Sequence, residues 1–267
     1  MLKDITLGQY FPGDSFIHRL DPRTKLLMVV VYIVALFMAS GWLAYGFVIA
    51  FLALCIKVST IPLKAITRGL KPVLMIVVFT GILNLFFTPG THEIFTVFGF
   101  TLTWEAVERA AQMILRIMLL ITGTFLLTYT TSPIALTDGL ESLLTPLKKI
   151  KFPVHELSMM MCIALRFIPT LNEETDKIMC AQKARGADFE SGSIMDRARA
   201  LIPILVPLFI SAFRRADELA IAMECRCYLG GEGRTKMKQL HYTSLDFIAY
   251  GAGALLVIGV LVLSRIG

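Results

Sequence analysis

The sequence has little of what catalytic and metal-binding proteins usually need. Its four histidines are scattered, and its five cysteines show neither a disulfide framework nor a zinc-binding spacing. No Walker A pattern is present, so we do not expect the chain to hydrolyse ATP. Charged residues make up only 17% of the chain. These absences predict a non-catalytic protein with no catalytic residues, no resident metal and no cofactor.

Apolar residues, in contrast, make up 56% of the chain. Five apolar segments are candidates for crossing a bilayer, which needs about 20 residues per helix. They cover approximately residues 26–39, 43–56, 72–88, 107–130 and 246–264. The first two are short, so a shallow hairpin is an alternative for them. The pattern predicts an all-α integral membrane protein with about five transmembrane helices.

The charged residues are unevenly distributed. Residues 131–243 hold 15 of the 26 Lys and Arg residues and 13 of the 20 Asp and Glu residues. Loop basicity predicts a cytoplasmic N-terminus, an external 88–105 loop and a cytoplasmic 131–243 region in a multi-pass protein of the cell membrane. We therefore divide the chain into a transmembrane region (1–130), a cytoplasmic region (131–243) and a C-terminal span (244–267). The near-balanced charge argues against nucleic-acid binding.

The cytoplasmic region is expected to be helical. A short amphipathic helix is predicted over 134–144, followed by two long helices at about 155–185 and 194–228. The small residues of 191–193 indicate a turn between the long helices, and Ser193 or Asp196 could cap the second one. Internal prolines at 169, 203 and 207 should bend these helices.

Each long helix ends in an arginine between small residues. The two ends read Ala184-Arg185-Gly186 and Cys225-Arg226-Cys227, and each arginine follows an aspartate by nine residues. A guanidinium offers a rigid fork of donors that suits carboxylates, and small neighbours would let the helix end enter an acidic groove. The alternative is that both arginines are ordinary solvated charges.

Other polar residues give weaker indications. The acidic residues Glu173, Glu174 and Asp176 are interpreted as a solvated helix face rather than a paired-carboxylate site. Arg109 and Arg116 share one face of the fourth apolar segment, where charge is usually functional or paired. Cys225 and Cys227 are expected on one helix about 200° apart, which disfavours shared metal binding.

The chain resembles the transmembrane T component of energy-coupling factor transporters, the prokaryotic importers of vitamins and metals. The resemblance covers nearly the whole length. The segments Tyr10-Phe11-Pro12-Gly13-Asp14-Ser15 and His18-Arg19-Leu20-Asp21-Pro22-Arg23-Thr24-Lys25 are similar to the family's opening signature. Ala184-Arg185-Gly186 matches its first coupling motif, and Cys225-Arg226-Cys227 occupies the second motif but replaces both flanking residues by cysteine.

The resemblance implies a non-catalytic subunit that joins two cytoplasmic ATP-binding-cassette ATPases to a membrane-embedded, exchangeable substrate-binding S component. Its two long helices would form a crossed cytoplasmic pair, and each arginine tip would dock in one ATPase. The apolar run Met159-Met160-Met161 is our candidate for S-component contact, since methionine adapts to varied partners.

Three alternatives stay open at this stage. The first is the T component of a dedicated cobalt or nickel importer. The second, from another class, is a membrane enzyme that uses both arginines on a phosphorylated lipid. The third is a static scaffold without an energetic role.

Overall fold

A computed structural model describes residues 10–87, 93–97, 100–189, 193–230 and 239–266. The described part is dominated by helices, as the sequence predicts. They are α1 (Pro22–Met38), α2 (Trp42–Ser59), α3 (Leu63–Phe87), α4 (Trp104–Thr130), α5 (Pro133–Leu144), α6 (Val154–Ala184), α7 (Ile194–Cys225) and α8 (Ser244–Ile266). The predicted amphipathic helix at 134–144 is confirmed as α5.

The predicted 88–105 loop contains a feature that the sequence interpretation missed. Strands β1 (Glu93–Val97) and β2 (Phe100–Thr103) pair in antiparallel fashion. Both segments are rich in β-branched and aromatic residues, which favour strands.

Within the described residues, five helices are long and apolar enough to cross a membrane, which matches the predicted number but not the predicted set. They are α2, the 63–85 part of α3, α4, α6 and α8. Helix α1 has 17 residues, or about 25 Å, which is short of the roughly 30 Å hydrocarbon core. Helix α6 joins the set because its N-terminal half is apolar, whereas residues 173–184 carry five charged side chains.

The described chain forms two compact units. Of the described residues, those in 10–142 and 240–266 form a multi-helix unit, and those in 143–239 form a two-helix unit. In the multi-helix unit, α1, α2, α4 and α8 share an apolar core that includes the fully buried Leu36, Tyr45 and Leu256. The Tyr32 hydroxyl of α1 donates to the Leu119 carbonyl of α4 at 2.9 Å, which fixes these two helices together.

The segment that carries the family-like opening signature ties three parts of the multi-helix unit together. The Asp246 carboxylate, at the start of α8, accepts from the Asp21 backbone N–H at 2.9 Å. The Lys25 ammonium donates to the His18 carbonyl at 3.1 Å and to the Thr130 carbonyl at 3.0 Å. Lys25 is buried, so these acceptors offset part of its desolvation cost. The signature therefore has a structural role at the start of α1.

The two-helix unit is built from α6 and α7, which a 3-10 helix at Thr145–Ile150 precedes. The first turn of α7 has a capping box: the Ser193 side chain accepts from the Asp196 N–H, and the Asp196 carboxylate accepts from the Ser193 N–H. The predicted capping role of these two residues is confirmed. Part of the predicted turn at 191–193 lies outside the described residues. Helix α6 is continuous across Pro169, and helix α7 is continuous across Pro203 and Pro207.

Helices α6 and α7 run in opposite directions where they pack against each other. The Glu174 carboxylate of α6 accepts from the Ser211 hydroxyl and from Arg215 Nη2, the latter at 3.0 Å. Eight residues further along α6, Gln182 Nε2 donates to the Pro203 carbonyl at 3.4 Å. The contact moves backward on α7 as it moves forward on α6, so the pair is antiparallel where it touches.

Candidate functional site

The first arginine tip is the C-terminus of α6. Helical residues end at Ala184, Arg185 is the C-cap, and Gly186 follows in the left-handed region at φ +86°. The Gly186 N–H donates to the Lys183 carbonyl at 3.0 Å, and the Ala187 N–H donates to the Gln182 carbonyl at 3.0 Å. These two bonds define a Schellman motif, which satisfies carbonyls that the helix end would otherwise leave open.

The second tip, at the C-terminus of α7, repeats this geometry. Arg226 is the C-cap, and Cys227 follows at φ +55°. The Cys227 N–H donates to the Glu224 carbonyl at 2.9 Å, and the Tyr228 N–H donates to the Met223 carbonyl at 3.0 Å. The two tips therefore share one backbone motif, although the first uses glycine and the second uses cysteine at the left-handed position.

This geometry corrects two expectations from the sequence. Helix α7 ends at Cys225 rather than near residue 228, so Cys225 and Cys227 do not lie on one helix. A left-handed residue cannot continue a right-handed helix, and the backbone turns away at Cys227. Among the described residues, no group of three or more His, Cys, Asp or Glu side chains is placed to hold a metal ion.

Both arginines are exposed, and so are the small residues on either side of each. Within the described part of the chain, neither guanidinium has a hydrogen-bond acceptor or an ion-pair partner. Each cation lies at the negative end of a helix dipole, which favours its placement there. The two tips are thus presented as free cationic donors at well-defined helix ends.

The Glu174–Arg215 ion pair lies midway between the tips. Arg185 follows Glu174 by 11 residues, and Arg226 follows Arg215 by 11 residues. At 1.5 Å per residue, each tip is about 16 Å from the ion pair along its own helix. Because the helices are antiparallel, the two tips leave this contact in opposite directions. The pair therefore offers two similar cationic ends that face away from each other.

The ion pair itself was missed by the sequence interpretation, which treated Glu174 as part of a solvated face. The similarity between the two long helices, in which each tip arginine follows an aspartate by nine residues, was a signal that could have indicated this ion pair. Aligning Arg185 with Arg226 places Glu174 opposite Arg215, two residues of opposite charge at equivalent positions. Equivalent positions on antiparallel, pseudo-symmetric helices meet at the axis between them, as they do in an isologous interface.

The three methionines lie on the apolar N-terminal half of α6. Met160 is 56% exposed and Met161 is 37% exposed, whereas Met159 is half-buried. The N-terminal half of α7 also exposes large apolar side chains: Leu201, Ile202, Leu205, Val206 and Phe209. Exposed apolar area of this extent usually contacts lipid or a partner protein.

Comparison with known proteins places these features in a family. Residues 13–237 match the family model described as CbiQ, cobalt transport protein. A relative from Clostridium kluyveri, named energy-coupling factor transporter transmembrane protein EcfT, is 55% identical over 100% of this chain and 98% of its own length. Proteins of the same name from Thermosediminibacter oceani (55% identical; 97% of this chain and 97% of the relative) and Lactococcus lactis (44%; 98% and 96%) also match. The chain therefore belongs to the family of energy-coupling factor transporter transmembrane proteins.

Proposed function

We propose that this chain is the non-catalytic coupling subunit of an ATP-driven importer. It joins two ATP-binding-cassette ATPases to an exchangeable S component, through which vitamins or other micronutrients enter the cell. It carries motion between partners and performs no chemistry itself. In this proposal, the N-terminus and the two arginine tips are cytoplasmic.

The observation that carries the proposal is the pair of matched helix ends. Each long helix ends in an exposed arginine with the same C-capping geometry. The two ends point in opposite directions away from the Glu174–Arg215 ion pair. Two equivalent helix ends suit two equivalent binding sites, such as acidic grooves on two copies or homologues of one ATPase. A guanidinium docked on carboxylates is charge-assisted and geometrically specific.

Reconstitution tests this function directly. Proteoliposomes that contain the chain, both ATPases and one S component should import substrate when ATP is supplied on the ATPase side. Vesicles that lack only this chain should show no ATP-driven import. Import by the remaining subunits at the full rate would contradict the proposal, and turnover of a phosphorylated lipid by the purified chain alone would favour the enzyme alternative.

The exposed methionines of α6 are our proposed S-component contact. Replacing Met160 and Met161 by glutamine should weaken S-component binding by about 30-fold, since two apolar contacts are lost at about 1 kcal/mol each. The ATPases should be retained. Met195→Gln is the matched control, because Met195 is also exposed, at 63%, but lies on α7 outside this run. Unchanged S-component recovery in the double variant would exclude this contact.

A dedicated cobalt or nickel importer is a second candidate, because the matching family model is described as a cobalt transport protein. The two candidates differ in their partners. Copurification with several S components of different vitamin specificity supports a shared module. Recovery of a single S component, together with cobalt or nickel uptake in the reconstituted system, supports the dedicated importer.

A further inference from the structure

Two arginines of α4 line a pocket that the proposed coupling function does not use. The pocket has a volume of about 400 Å³, and Phe37 of α1 forms its other wall. Arg109 and Arg116 are seven residues apart and so lie on the same face of α4. Among the described residues, those that line this pocket include no carboxylate. The pocket is therefore cationic on one side and aromatic on the other.

The guanidinium of Arg116 is held in place. Its Nε donates to the Tyr45 hydroxyl at 3.0 Å, and its Nη2 donates to the Ala39 carbonyl at 3.3 Å. The same group lies 5.8 Å from the centre of the Phe37 ring, within cation–π range. Two of its five N–H donors are thus accounted for. A guanidinium held in this way is pre-organised to bind an anion with its remaining N–H donors.

Arg109 is exposed, and the described residues supply it with neither a hydrogen-bond acceptor nor an ion-pair partner. The adjacent Glu108 does not neutralise it by a direct contact. Instead, the Glu108 carboxylate accepts from Trp42 Nε1 at 2.9 Å and from Gln112 Nε2 at 3.3 Å. The positive charge of Arg109 is therefore available to a ligand.

The pocket lies at the level where several helices end. Arg116 contacts Ala39, the residue that follows α1, and the neighbouring Ser40 hydroxyl donates to the Ser264 carbonyl near the end of α8 at 3.5 Å. Helix ends need polar surroundings, and tryptophan is enriched at membrane interfaces. Trp42, at the start of α2, is 53% exposed. These features are typical of a membrane–water interface.

We propose that the pocket binds the headgroup phosphate of an anionic phospholipid. Arg109 and the remaining donors of Arg116 hold the phosphate, and Phe37, which is 60% exposed, contacts the adjoining apolar part of the lipid. Guanidinium suits this role because its planar fork matches phosphate oxygens. A choline headgroup carries its own cation and is disfavoured beside two arginines. The site is separate from the arginine tips and does not depend on the coupling function.

Native mass spectrometry of the full-length chain, titrated with phosphatidylglycerol or phosphatidylcholine, tests the proposal. We expect phosphatidylglycerol to bind more tightly, and Arg109→Gln to weaken its binding about five- to tenfold by removing one charge-assisted contact. Arg109→Gln should leave folding intact because Arg109 has no partner to lose among the described residues. Arg265→Gln is the matched control: Arg265 is an exposed arginine next to Ser264 on α8, at the same level.

Three results would overturn the proposal. The first is that Arg109→Gln and Arg265→Gln weaken phosphatidylglycerol binding equally, or that neither weakens it. The second is equal affinity for phosphatidylglycerol and phosphatidylcholine in the wild-type chain. The third is displacement of the lipid by millimolar glycerol phosphate, which would indicate a site for soluble phosphates instead of a lipid site.

Discussion

Gly186, the residue after Arg185, determines how the first tip ends. Its φ of +86° is unfavourable for any residue with a Cβ, although open space surrounds it. We expect Gly186→Ala to cost about 1 kcal/mol locally and to speed hydrogen exchange at the Gly186 and Ala187 amides about fivefold. Gly251→Ala is the control, because Gly251 also has open space but lies inside α8. Equal effects of the two substitutions on their local amides would contradict this explanation.

Cys227 performs the same task at the second tip with a side chain. Its φ of +55° costs free energy that glycine would not incur. We expect Cys227→Gly to keep or raise protection of the Tyr228 amide, with part of the gain offset by the more flexible unfolded chain. Cys227→Val should lower protection by about 1 kcal/mol, because a β-branched residue resists this conformation. Equal protection in the two variants would show that the left-handed turn does not form in solution.

The sequence predicted how α6 ends but not how α7 ends. Gly186 indicated a helix end, because glycine after an apolar-periodic helix is a frequent stop signal. Cys227 gave no such signal, since cysteine has no preference for the left-handed region. The end of α7 was therefore placed about three residues late. The roles of Arg185 and Arg226 as docking groups stay predictions.

Glu174 of α6 makes two of the polar contacts between α6 and α7. Glu174 is bonded to Ser211 and Arg215, and the ion pair is only partly exposed. A double-mutant cycle of Glu174→Gln and Arg215→Gln, followed by thermal unfolding of the purified chain, should give a coupling energy of about 0.5–1 kcal/mol. The coupling should shrink at high salt.

The adjacent residues provide a matched control cycle. Glu173 and Arg214 are both exposed and are each one residue away from the pair. Glu173→Gln and Arg214→Gln should show a coupling energy near zero. Similar coupling in the two cycles would mean that the antiparallel contact is not specific to Glu174 and Arg215.

Helix positions were predictable because apolar runs and capping residues are local signals. Ser193 and Asp196 predicted the start of α7, and the apolar periodicity over 134–144 predicted α5. The β1–β2 pairing and the Lys25 contacts were not predicted. The Lys25 contacts join segments far apart in the chain, as with Lys25 and Thr130, and a single sequence does not report such contacts. The β1–β2 pairing is local, and the β-branched and aromatic residues of the two strands were a signal that could have predicted it.

The whole molecule combines a multi-helix unit for the bilayer with a two-helix unit that presents two cationic ends. Length and composition make α6 one of the five candidate membrane helices, although its C-terminal half is charged. The apolar half suits lipid or a membrane partner, and the charged half suits water. A helix of this kind is appropriate for passing motion between a cytoplasmic ATPase and a membrane protein.

Charge reversal at the tips is the most direct test of coupling through the arginines. Arg185→Glu and Arg226→Glu should each reduce recovery of the ATPases and ATP-driven uptake by at least about 30-fold, since reversing a docked charge costs several kcal/mol. Insertion into the membrane and S-component binding should persist. Arg214→Glu, at another exposed arginine of α7 that lies away from both tips, should behave as wild type. If both tip variants keep their ATPases and transport normally, the arginines are solvated surface charges and the proposed coupling mechanism is wrong.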